Sequence, residues 1–88
     1  MGKYLLAEKI SASADSVVYR MRPGDRDDPS LVQDVRIPID SSGEYQKGSD
    51  VTTTSGVELN GWSRDMLGKL LNDVRKTGEW PNRASLQS

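Results

Sequence analysis

The chain has 88 residues, 34% hydrophobic and 28% charged, with 12 basic against 13 acidic side chains and a formal net charge of -1. That length allows one domain with one core, burying roughly 60–65% of the unfolded surface. Cysteine and histidine are both absent, which excludes disulfides, thiolate nucleophiles, thiolate metal sites, and the commonest general base and transition-metal ligand.

The two signs of charge are interspersed, which argues against an overall field that would hold the chain on a phosphate backbone or an anionic membrane. No apolar run approaches the ~18 residues of a membrane span, and Met1 to Ile10 has neither the basic start nor the long apolar stretch of a signal peptide. The expectation is a soluble, unexported protein of the cytoplasm, where a cysteine-free chain needs no oxidising conditions.

From the N-terminus the pattern has period two. Lys3 to Ile10 and Ser16 to Arg22 read as strands joined across Ser11-Ala12-Ser13-Ala14-Asp15, a first hairpin. In the second segment Val17, Tyr19 and Met21 take one face, toward a core, and Val18, Arg20 and Arg22 take the other. Pro23-Gly24-Asp25 breaks the strand. Leu31, Val35, Ile37 and Ile39 then share a face, interrupted only by Gln33, while Val32, Asp34, Arg36, Pro38 and Asp40 share the opposite one. Pro38 cannot donate to a ladder, so this strand is expected at a sheet edge, the alternative being that its amide side faces outward. Asp40-Ser41-Ser42-Gly43 is turn chemistry, leading into a short returning strand from Glu44 to Lys47 and a breaker at Gly48-Ser49-Asp50. A last strand is expected through Val51 to Leu59, favoured by Thr52-Thr53-Thr54 and liable to bulge or split at Ser55-Gly56.

Trp62 to Pro81 carries the densest set of signals. Ser63 stands where an N-cap hydroxyl would sit, Asp65 would fall in the first turn, and Trp62 with Leu67 would form a hydrophobic staple. Trp62, Met66, Leu67, Leu70, Leu71 and Val74 lie on one stripe at period 3.6, with Asp65, Lys69, Asn72, Asp73, Arg75 and Lys76 opposite. Gly78 suits a left-handed C-terminal position, so the helix should stop near Thr77, and Pro81 forbids its resumption. The expected architecture is α+β: an antiparallel β-meander of three to five strands with one C-terminal amphipathic helix packed on one face. Residues 1–81 would form a single domain and 82–88 a frayed tail. Since phenylalanine is absent, Trp62, the tyrosines and the aliphatic residues named above must supply the bulk of the core, joined by Trp80 if it folds back.

The chemistry-bearing groups are sparse. Asp25-Arg26-Asp27-Asp28 concentrates carboxylates that a hard cation could use, but it lacks the order of a calcium loop and reads better as a solvated turn, so no metal is expected. Thr52, Thr53, Thr54 and Ser55 offer hydroxyls with no histidine to activate them, and the reading is a non-enzyme without cofactor. Arg20, Arg22 and Arg36 would lie on the solvent face of neighbouring strands, a guanidinium cluster able to contact phosphate or carboxylate. Sheets that bind nucleic acid pair such charges with aromatics on the same face, whereas Tyr19 alternates to the other, so the plainer expectation is cross-strand pairing with Asp34 and other carboxylates. Trp80 lies just past the helix terminator, either folded onto the core or presented as an anchor to a partner. The leading expectation is therefore a non-catalytic module that binds another protein, or itself, through a sheet edge, the face opposite the helix, or Trp80. The Thr-rich strand is the favoured edge for strand addition. The alternative is weak nucleic-acid binding through the arginine face.

Overall fold

A computed structural model describes residues 4–26, 28–46 and 50–87. Lys3, Asp27, Lys47, Gly48, Ser49 and Ser88, which figure in the expectations above, lie outside the described residues. Five strands, β1 (Tyr4–Ala12), β2 (Ser16–Pro23), β3 (Gln33–Pro38), β4 (Thr52–Thr53) and β5 (Arg83–Gln87), form one antiparallel sheet in the order β4-β3-β2-β1-β5. The helix α1 (Gly61–Thr77) follows β4 in the chain and packs on β1, β2 and β5. The fold is α+β, as the pattern of strands followed by a helix implies.

Alternation decides which face is buried. Leu5 and Ala7 of β1, Val17, Tyr19 and Met21 of β2, and Val35 and Ile37 of β3 are all buried on the helix side. They meet Met66, Leu70 and Val74 of α1 to form the core. Trp62, Leu67, Leu71 and Trp80 flank that core half-buried, so Trp62 borders it rather than filling it. The Arg26 guanidinium lies 5.6 Å from the centroid of the Trp62 ring, covering its outer side with a cation–π contact.

The helix begins earlier than its cap pattern suggests. Asn60, not Ser63, is the N-cap, its Oδ1 accepting from the Ser63 amide at 2.8 Å. Starting at Gly61 carries Asp65 beyond the first turn, removes the Trp62–Leu67 staple, and turns Ser63 inward, where its hydroxyl is buried with no hydrogen-bond partner among the described residues. Gln33 explains the shift. It occupies the one polar position on the apolar face of β3, and its Nε2 donates to Glu58 O at 2.9 Å while its Oε1 accepts from Asn60 N at 2.9 Å. The side-chain amide thus clamps the backbone at the entrance to α1 and sets where the helix starts. The stop agrees with expectation: Gly78 is left-handed at φ 77° and donates to Val74 O at 2.7 Å, with Arg75 and Lys76 in the last turn.

Four expectations about the strands need correction. The first hairpin extends to Ala12, because a β-bulge between Lys9 and Ser11 lets the strand twist onward to a tighter turn. The Glu44–Lys47 strand reduces to a single bridge from Tyr45 to Ile39 within the described residues. The Val51–Leu59 strand shrinks to Thr52–Thr53, since Gly56 takes φ 87° and turns the chain away. The tail expected to fray is instead β5, paired along β1 from Glu8↔Arg83 to Tyr4↔Gln87. Pro38 sits beyond the reach of β4 with its nitrogen pointing away from β2: Ile39 N donates to Asp15 O, so by alternation the Pro38 backbone faces out. The expected edge position is thus corrected: β3 is second from the margin, and the outward-facing position is what accommodates the proline.

Candidate functional site

Three places could meet a partner: the sheet face opposite α1, the concavities beside it, and the two sheet margins. On the open face Arg20, Arg22 and Arg36 are all exposed, as expected. Arg20 does not stand as part of a free cluster. Its Nε lies 2.9 Å from Asp34 Oδ1 and its Nη2 3.3 Å from Oδ2, a cross-strand pair on β2 and β3. The hydrogen bond to Asp34, and then its charge, hold the guanidinium above its ordinary range. Register continues the alternation across the sheet: Asp34 pairs with Arg20, Arg20 with Glu8, and Glu8 with Arg83. Opposite charges thus follow one another in a row from β3 to β5, compensating the field on this face. Arg22 and Arg36 make no ion pair with a described residue, and they flank the row on either side.

The concavities are shallow. One, about 470 Å³, is lined by Arg22, Arg26, Asp28, Pro29 and Val32. Its carboxylate is already engaged, because Asp28 caps the short 3-10 turn at Pro29–Leu31 by accepting from Ser30 N at 3.0 Å and Ser30 Oγ at 2.7 Å. The Ser30 hydroxyl and amide hold the Asp28 carboxyl below its usual range. Asp40 does the same in its own turn, accepting from Ser42 Oγ, Ser42 N and Glu44 N. These acids organise backbone, and the described residues include no cluster of three or more metal-ligating side chains.

Trp80 is placed inside the fold. It is half-buried, its ring centroid stands 6.2 Å from that of Tyr19 at an interplanar angle of 41°, and its Nε1–H donates to Gly43 O at 2.6 Å. The neighbouring backbone is pinned just as firmly. Lys9 Nζ donates to Trp80 O at 3.1 Å, the Tyr19 hydroxyl donates to Pro81 O at 2.6 Å, and Lys9 N donates to Asn82 O at 2.8 Å. Tyr19 is fully buried, and burial pushes its hydroxyl well above the usual tyrosine range, so it remains a donor. The segment Trp80–Asn82 is therefore a built strap that delivers the chain from the end of α1 to the flank of β1.

The two margins of the sheet differ. Beside β3, Thr52 and Thr53 pair with Arg36 and Val35, Thr54 N donates to Asp34 O, and Gln46 N donates to Pro38 O. Thr53 is buried and its hydroxyl donates to Val57 O at 2.6 Å, drawing β4 back on itself. The Thr-rich segment is thus a short cap on the margin, ill suited to extend it. On the other side, among the described residues, β5 has a neighbour only in β1. The bond from Lys9 N to Asn82 O fixes the parity: Asn82, Ala84 and Leu86 turn their backbone groups to β1, while Arg83, Ser85 and Gln87 turn theirs outward. No described strand receives those outward groups. β5 was missed in the sequence because Ala and Ser are poor strand formers. The signal that existed was the period-two order of Arg83, Ala84, Ser85, Leu86 and Gln87, with Ala84 and Leu86 half-buried and the others exposed.

Comparison with known proteins finds no matching family model, no matching curated protein and no matching solved structure.

Proposed function

We propose that this chain is a non-catalytic protein-interaction module that receives an extended segment of another polypeptide along the outer edge of β5. The observation that carries this reading is the open row of backbone groups at Arg83, Ser85 and Gln87 on a strand with no proline, lysine or bulge to blunt it. Main-chain hydrogen bonds would supply affinity, and the alternate side chains Ala84 and Leu86, next to the helix, would supply selectivity for an apolar residue. A site of action in the cytoplasm suits a chain without cysteine. No helix among the described residues is long and apolar enough to cross a membrane, which accords with a protein partner. Weak nucleic-acid binding through Arg20, Arg22 and Arg36 is the second reading; the pairing of Arg20 with Asp34 and the row through Glu8 and Arg83 weigh against it.

The test is capture from source-cell lysate on immobilised chain, comparing the wild type with Ser85→Pro and with an Arg20/Arg22/Arg36→Ala triple variant, at two salt concentrations and with nuclease. Proline at 85 removes an outward donor without touching the β1 ladder. A defined protein retained by wild type and the arginine variant but lost with Ser85→Pro supports the edge. Retention that survives Ser85→Pro and falls with salt, nuclease and the arginine substitutions would replace it with the second reading.

A further inference from the structure

The edge of β5 is complementary to itself, and we infer that in the absence of another ligand two copies of this chain pair β5 to β5 in antiparallel register about a two-fold axis at Ser85. This deepens the edge reading above and rests on it. The register is set by overlap. Only pairing centred on Ser85 brings all of Arg83–Gln87 alongside the same segment of the second copy. The outward backbone groups then match: Ser85 exchanges both bonds with its own counterpart, and Arg83 does so with Gln87 of the second copy, and conversely.

Side chains agree with the backbone. On the open face each Arg83 meets a neutral Gln87, which keeps the two guanidiniums at opposite ends of the seam and avoids a like-charge contact. On the helix face the small Ala84 meets the larger Leu86, both half-buried in a single copy and both gaining cover from the pairing. An axis perpendicular to the sheet leaves both copies of α1 on the same side. Because α1 packs on β5, the two helices flank the seam and the apolar layer runs on beneath it. Of the devices that blunt an edge, β5 has no proline, bulge or inward charge; its one charge, Arg83, lies on the open face opposite a neutral Gln87 in this register. A five-residue seam is small, so the dimer is weak.

The experiment is sedimentation equilibrium of the full chain from about 10 µM to 1 mM, with amide hydrogen exchange read on the same samples. The expected result is a mass rising from monomer toward dimer in the wild type and staying monomeric in Ser85→Pro, with the melting temperature at the lowest concentration unchanged between them. Cysteine is absent from the chain, so a single introduced thiol reports register. Ser85→Cys places two thiols across the axis within disulfide reach. It is expected to cross-link at least tenfold faster than Gln87→Cys, whereas an equimolar mixture of Arg83→Cys and Gln87→Cys recovers the fast rate. A dimer that persists in Ser85→Pro, or equal cross-linking at 85 and 87, overturns the inference. A wild type that stays monomeric while the Ser85 and Gln87 amides exchange fast also overturns it, yet leaves the edge open for a different chain. A monomer in which those amides are protected sinks the self-pairing and the edge reading together.

Discussion

The margin beside β3 and the margin at β5 are solved in opposite ways by one sheet. Next to β3 the chain invests in closure: a two-residue strand, a buried threonine tied to Val57, a turn at Gly56, and a proline beyond β4 whose carbonyl is taken by Gln46 N. At β5 the investment lies on the inner side only, in the strap from Trp80 to Asn82 and the ladder to β1, and the outer side is left regular. A protein that needed only to avoid association would treat both margins alike. The contrast teaches that regularity at one edge, in a fold that demonstrably blocks the other, is a property to be tested as function.

The largest blow to this contrast should come from Ala84→Pro. Its amide faces β1, so the substitution removes a ladder bond and is expected to cost on the order of 3 kcal/mol. That corresponds to a fall in Tm of more than about 10 °C in thermal denaturation. Ser85→Pro, one residue along, should leave Tm unchanged at low concentration. Equal effects at both positions would mean that the parity assigned to β5 is wrong.

Tyr19→Phe comes next and probes the strap. It deletes the donor to Pro81 O within the core, for an expected loss of about 1–2 kcal/mol in urea denaturation. Burial raises the folded-state pKa of Tyr19, so the folded chain keeps a proton that the unfolded chain releases near pH 10. The Tyr19 contribution to stability should therefore be constant below that pH and fall as pH rises above it, and the Phe variant should lose most of that alkaline slope. The smallest effect addresses the closed margin. Gln33→Leu restores the apolar alternation of β3 and by pattern alone should stabilise. With its two bonds to Glu58 and Asn60 gone, and the Asn60 amide left without its acceptor, it should instead cost about 1 kcal/mol and hasten amide exchange at Asn60.

Much of the fold was legible because alternation and helix period act locally. Val17, Tyr19 and Met21 face the core, Arg20 and Arg22 face water, and α1 stops at Gly78, each read from spacing alone. What was not legible depends on partners distant in sequence. Ser63 looked like a cap because nothing near it reveals that Gln33 would hold Asn60 in that role. Arg83–Gln87 looked like a tail because its order comes from Lys9, Tyr19 and the flank of β1, none of which leaves a mark on those residues. For the candidate site, alternation places Arg20, Arg22 and Arg36 on the open face and makes Asp34 a cross-strand partner within reach, and a Trp80 folded onto the core is one of the two readings of that residue. The exact register of Arg20 with Asp34 and the contact of Trp80 with Tyr19 depend on long-range packing.

The pairing of β1 with β5 also constrains the order of assembly. During synthesis β1, β2 and β3 emerge early and can zip as a local meander, whereas β1 gains its second neighbour only after α1, the strap and β5 have all been made. The contacts from Tyr4↔Gln87 to Glu8↔Arg83 join nearly the opposite ends of the described chain, so they contribute heavily to contact order and close late. Until then the backbone of Leu5, Ala7 and Lys9 is itself an unsatisfied template. The nascent chain thus passes through a stage in which the vulnerable strand is β1, and only the arrival of β5 shields it.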